Sequence, residues 1–236
     1  MKDALKVTRM QLGDWGQTLI VPIAILVGTT AFLWVFFGLL AAYVPGEQGA
    51  MGRRPVDMGS VYQTVLFLSF SISVWVFSSY YPITRALGGS RRGYFIGTSL
   101  YYAGLAAIIT AIVSVLYLLE LASGHWFVGQ RILDAPLLGD GGLRTLWLIT
   151  FPASFFAMTL AALFAASWMR FAALGPWVTG AAVVVVVASL VLLGSANRDL
   201  LLTWLSPVTV AISFLTLSAA FLGGASLLLR RASIRG

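Results

Sequence analysis

The sequence has no cysteine, a single histidine, and charge on only 10% of its 236 residues. Without cysteine there are no disulfides, no thiolate metal sites and no cysteine nucleophile, and the redox state of the compartment stays unwritten. The lone His125 sits beside Trp126 and Phe127 and reads as a ring at a membrane interface. One histidine with scattered acids cannot assemble a zinc site, so no metal is expected. A serine nucleophile needs a His or Lys base within reach, and His125 lies in an outer loop next to Trp126 and Phe127. Asp134, Asp140 and Glu120 are too dispersed for a paired acid and base and read as solvated loop charges. A G-x-x-x-x-G-K-[ST] phosphate loop is also missing, since the glycine cluster from Gly88 to Gly97 holds no lysine. The chain is therefore expected to be no enzyme, to bind no cofactor and to hydrolyse no ATP.

The scarcity of charge decides the class. Apolar and aromatic residues make up 59% of the chain, and an ordinary soluble domain carries about 25% charged residues. Too few charges remain to coat a soluble core, so lipid is the outer solvent. A spanning helix needs about 20 mostly apolar residues. Six segments qualify: 17–44, 61–82, 94–119, 146–169, 177–196 and 204–229. The first is too long for the apolar part of a cleaved signal peptide and reads as a retained span. Ser60 and Gln63 have capping-box spacing ahead of the second span. Pro22 and Pro152 predict bends in spans 1 and 4.

An even number of spans puts both termini on one side. With that side cytoplasmic, Lys2, Lys6, Arg9, Arg85, Arg91, Arg92, Arg170, Arg230, Arg231 and Arg235 lie inside, and Arg53, Arg54, Arg131, Arg144 and Arg198 lie outside. The excess of basic residues inside selects this orientation. The expectation is an all-α integral membrane protein with six transmembrane helices, both termini cytoplasmic, one domain over residues 1–236 and a longest outer loop at 120–145. The net charge of +7 is spread along membrane edges, where anionic headgroups are nearer partners than nucleic acid.

Residues 81–97, YPITRALGGSRRGYFIG, crowd three arginines into one short connection. Each would cost about 2.5–3.5 kcal/mol at the centre of a spanning helix, so residues 84–93 must sit outside the hydrocarbon. Pro82 and the Gly88-Gly89 pair bracket Ile83 to Leu87 as a short helix, and Ser90 is placed to cap the third span. Two readings stand side by side: the arginines obey the positive-inside rule and touch lipid phosphates, or they dock a cytoplasmic partner.

A connection of the form Arg85-Ala-Leu-Gly-Gly-Ser-Arg-Arg-Gly-Tyr-Phe-Ile-Gly97, in a six-span chain with a basic N-terminus, resembles the membrane subunit of an ABC-2-type ABC transporter. The resemblance implies a coupling helix that fits a groove on a separate ATPase subunit. By position it assigns docking to Thr84, Arg85, Ala86, Leu87, Gly88, Gly89, Ser90, Arg91 and Arg92. It further implies ATP and Mg²⁺ on the partner subunit, a homodimer or a heterodimer with a similar permease, and export of an amphiphilic, lipid-like, peptide or drug-like molecule across a bacterial cell membrane. The family's N-terminal connecting helix has a counterpart in residues 2–16. There Lys2, Lys6 and Arg9 share one helical stripe, and Leu5, Leu12 and Trp15 share the next, so the helix can lie in the headgroup plane.

No titratable group stands in the middle of any span, which argues against ion-coupled transport. Polar residues at that depth are hydroxyls such as Thr150, Ser154 and Thr159. Ser69 with Ser73 and Thr110 with Ser114, each four apart, either line a polar cargo path or bond their own helix carbonyls. Ala162 with Ala166 and Ala220 with Gly224 permit close helix packing, including packing between subunits. Two alternatives to the transporter remain: a membrane sensor or scaffold using the same loop, and a secondary carrier or channel.

Overall fold

A computed structural model describes residues 2–13, 16, 20–43, 59–124, 133, 142–196 and 206–230. Among the described residues the chain is all-helical, with no strand. Those residues form seven helices: α1 (Lys2–Leu12), α2 (Val21–Tyr43), α3 (Gly59–Ala86), α4 (Arg91–Ala122), α5 (Gly142–Phe171), α6 (Leu174–Ala196) and α7 (Pro207–Arg230). In hydrocarbon every backbone polar group must be satisfied within its own segment, so long apolar runs fold as helices. Four helices are long and apolar enough to cross a membrane: α3, α4, α5 and α7. The two other apolar helices, α2 and α6, have 23 residues each.

Helices α3, α4 and α5 outrun the apolar runs that announced them. Helix α4 has 32 residues, roughly 48 Å at 1.5 Å per residue, against a hydrocarbon core about 30 Å thick. Its ends therefore project beyond the apolar layer, with Arg91 and Arg92 at one and Glu120 at the other. Pro152 lies inside α5, as expected, but Pro22 is the second residue of α2 and stands at its start, not within it. Helix α3 already includes Gly59, so Ser60 lies within it and not at its cap.

Helix α5 is the hub, packing against α3, α4, α6 and α7. Its inward face is largely alanine, with Ala153, Ala157, Ala161, Ala162, Ala165 and Ala166 all buried, and such small side chains let neighbouring backbones approach closely. Ala162 and Ala166 are thus spent on contacts within the chain and are closed to a second subunit. Phe156 of α5 meets Phe214 and Phe221 of α7 at centroid distances of 5.1 and 5.4 Å, and Phe70 of α3 meets Phe164 of α5 edge-on at 5.6 Å. Val178, Val184, Val185 and Val186 of α6 and Val208, Ile212 and Leu215 of α7 face outward. So large an exposed apolar surface suits lipid and would be an aggregation patch in water.

Glu120 departs from its expected role as a solvated loop charge. It lies in the last turn of α4 and is 0% exposed. The Leu133 N–H donates to its Oε2 at 2.5 Å, and the Tyr62 hydroxyl donates to the Leu133 carbonyl in a long bond of 3.5 Å. A buried carboxylate persists only when hydrogen bonds replace its lost water; here the peptide of Leu133, itself buried, is held by α4 from one side and α3 from the other. His125, Asp134 and Asp140 lie outside the described residues.

Glu120→Ala leaves the Leu133 amide buried without this acceptor, a loss of about 1–3 kcal/mol. Glu120→Gln keeps an acceptor and loses less. Thermal unfolding of the two variants in detergent checks the order, and equal losses would show that the Leu133 contact contributes nothing.

Candidate functional site

The α3–α4 connection is built from local backbone chemistry. Helix α3 continues through Pro82, and the Leu87 N–H still donates to the Ile83 carbonyl at 3.0 Å. The expected detached helix is therefore the final turn of α3. Proline removes a single helical bond, and anchors on both sides of the ring outweigh that loss: Tyr81 packs on Phe77 and Tyr94, while the Thr84 hydroxyl donates to the Tyr80 carbonyl at 2.7 Å.

The helix then stops in a Schellman motif, with Gly89 N–H on the Thr84 carbonyl at 2.8 Å and Gly88 N–H on the Arg85 carbonyl at 3.1 Å. Each glycine has its own reason. Gly88 takes φ +75°, the left-handed region that side chains resist, and a Cβ on Gly89 would come within 2.6 Å of Thr84 Cγ2 and 2.8 Å of its carbonyl oxygen. One residue later Ser90 caps α4, its hydroxyl accepting from the Gly93 N–H at 3.1 Å. Behind the turn lies an aromatic knot. The Tyr94 ring contacts Phe77 at 5.5 Å and Tyr81 at 5.1 Å, and its hydroxyl donates to the Phe77 carbonyl at 3.3 Å.

The three arginines of the connection do different things. Arg85 folds back onto its own turn, Nη1 donating to the Gly89 carbonyl at 3.0 Å. Arg91 reaches across the bundle to the Leu229 carbonyl of α7, also at 3.0 Å. Arg92 is exposed. The outward face thus presents Arg92 and Leu87, the latter 75% exposed, while Thr84 is buried beneath them. Ala86 and Ser90 are exposed beside them.

Helix α1 completes this end of the bundle, in an orientation the sequence did not indicate. It packs on α4 through Val7, Thr8 and Gln11, with the Thr8 hydroxyl donating to the Gly97 carbonyl at 2.9 Å and Gln11 Nε2 to Thr98 Oγ1 at 3.1 Å. Leu5, 57% exposed, therefore points outward together with Lys6 and Arg9. Trp15 and the side chain of Lys2 lie outside the described residues. Between α1 and the turn runs a cleft of about 140 Å³ lined by Lys6, Val7, Met10, Thr84, Leu87, Gly89 and Ser90. Its walls are mainly apolar and its rim is basic.

The hydroxyls proposed as a cargo path divide. Thr110 and Ser114 donate to carbonyls of their own helix, Ala106 and Thr110, each at 2.8 Å. Ser69 and Ser73 are fully buried with no hydrogen-bond partner for their hydroxyls among the described residues, and the same holds for Thr150 and Ser154 of α5. All four of the path residues are buried inside the chain. Among the described residues no cluster of His, Asp or Glu is arranged to hold a metal.

Gly88→Ala costs about 1–2 kcal/mol through its positive φ, Gly89→Ala about 1–3 kcal/mol through overpacking against Thr84, and Ser90→Ala about 1 kcal/mol through loss of the cap. Denaturant titration of the purified protein measures all three, and a neutral Gly89→Ala would refute the close approach. In comparisons with known protein families, characterised proteins and solved structures, the chain matches none.

Proposed function

We propose that this chain is the membrane-spanning subunit of an ATP-driven transporter of the ABC-2 type, with α2 to α7 as six spans and both termini in the cytoplasm of a bacterial cell. A separate ATPase subunit bears on residues 84–92 and holds the ATP and Mg²⁺. The permease works as a pair, with itself or with a similar chain, and exports an amphiphilic molecule.

One observation carries this reading: the basic turn is stiffer than a topology signal needs. A Schellman stop, a serine cap and an aromatic knot join the two long helices α3 and α4 within a few residues, and Leu87 and Arg92 project from the joint. A lipid-facing arginine loop needs charge alone. A surface that receives a push needs a short, capped corner, because slack there would absorb the motion. The adjoining cleft suits an apolar side chain of the partner, and its rim of Lys6, with Arg9 and Arg92 exposed nearby, suits acidic residues around it.

The burial of Ser69, Ser73, Thr110 and Ser114 favours a second reading, a sensor or scaffold that holds a partner without moving cargo. ATP turnover separates the two. With the chain in nanodiscs, the partner ATPase is expected to turn over several times faster than alone, and Leu87→Asp with Arg92→Glu returns it to the unstimulated rate. Both side chains are exposed, so the melting temperature stays unchanged. Binding without stimulation supports the scaffold, and flux without ATP supports a carrier or channel. Because the chain has no cysteine, Arg92→Cys also gives a single tagging site, expected to react only from the cytoplasmic side.

A further inference from the structure

The last carbonyls of a helix have no partner within it. In α7 two of these are met from elsewhere: Leu229 by Arg91 Nη1 at 3.0 Å and Leu228 by Arg170 Nη1 at 3.5 Å. The donors come from different helices, the first residue of α4 and the last turn of α5. Both are cations at the negative end of the α7 dipole, where charge-assisted bonds are strongest. The Arg170 guanidinium also lies 4.7 Å from the Phe171 ring centroid, which fixes its approach. Helices α4 and α7 share no extended packing, since each packs separately on α5. The bond from Arg91 therefore joins two elements that otherwise pack chiefly on a third. Arg91 directly follows the Ser90 cap, so it belongs to the same stiff joint as the turn.

We propose that Arg91 and Arg170 form a clamp that carries displacement of the 84–92 turn to the end of α7. Arg91 is then a transmitting residue and not a contact for the partner, and the docking surface narrows to Leu87, Arg92 and the cleft beside α1. A push on the turn moves the ends of α4 and α7 together, and Arg170 keeps the end of α5 in step with them. The proposal takes from the docking reading only the source of the push, and the clamp itself is open to test on the chain alone.

The absence of cysteine allows spin labels at Leu87→Cys and Leu227→Cys, both exposed positions, with distances read by pulsed electron resonance in nanodiscs. With both arginines present the distance distribution is expected to be narrow and to keep its mean when Gly89→Ala disturbs the turn. In the Arg91→Met, Arg170→Met background it is expected to broaden at least two-fold, and Gly89→Ala then shifts the mean. An unchanged width, or a lowered melting temperature with an unchanged width, overturns the clamp and leaves a simple helix cap. Should the double variant fail to fold, Arg91→Met alone is read in the same way, with Arg91→Lys expected to restore part of the narrow distribution. Failure here leaves the ATPase reading intact, and absence of an ATPase partner leaves the clamp intact.

Discussion

A helix leaving hydrocarbon emerges with its final carbonyls unpaired, and at the 84–92 end of this bundle guanidinium groups gather around those carbonyls. Arg91, from the start of α4, and Arg170, from the last turn of α5, both donate to carbonyls of α7, while Arg85, in the last turn of α3, donates to the Gly89 carbonyl of the turn. Two of the charges that cannot enter the apolar layer thus complete the hydrogen bonding of a helix that has just left it. Around this closure sit the Schellman stop at Gly88 and Gly89, the Ser90 cap and the docked α1. The result is one end of the bundle at which most of the helices are tied to one another.

The other end is held differently. There α3 and α4 share the peptide of Leu133 through the Tyr62 hydroxyl and the Glu120 carboxylate. Between the ends the packing is mostly carbon, with alanines on α5 and phenylalanines where it meets α7. Among the buried hydroxyls there, those of Ser69, Ser73, Thr150 and Ser154 have no hydrogen-bond partner among the described residues. An unpaired hydroxyl in such surroundings weakens the fold compared with an alanine of similar shape.

What could be read from the sequence followed the range of the interaction. The apolar runs announced the helices because lipid selects composition directly, although hydropathy stopped short of the projecting ends of α3, α4 and α5. The Ser90 cap was legible because a cap acts over three residues. The Gly88-Gly89 pair was legible as a break, but the Thr84 contact that requires Gly89 was not. Arg91 was legible as a charge and illegible as a ligand of α7, because its acceptor is a backbone carbonyl 138 positions away, and a carbonyl leaves no mark in residue type. The seat of α1 was not legible for a related reason: Thr8 and Gln11 pair with Gly97 and Thr98, 89 and 87 positions along the chain. Glu120 was read as solvated because an acid at the end of an apolar run ordinarily is.

The central place of α5 also orders the birth of the molecule. A ribosome delivers α1 to α4 first, and these already possess the aromatic knot, the capped turn and the seat of α1. Helices α6 and α7 emerge after α5 and rest mainly on it. Its alanine face is thus the template on which the late helices settle, and synthesis halted before Gly142 would strand the early ones without their common neighbour.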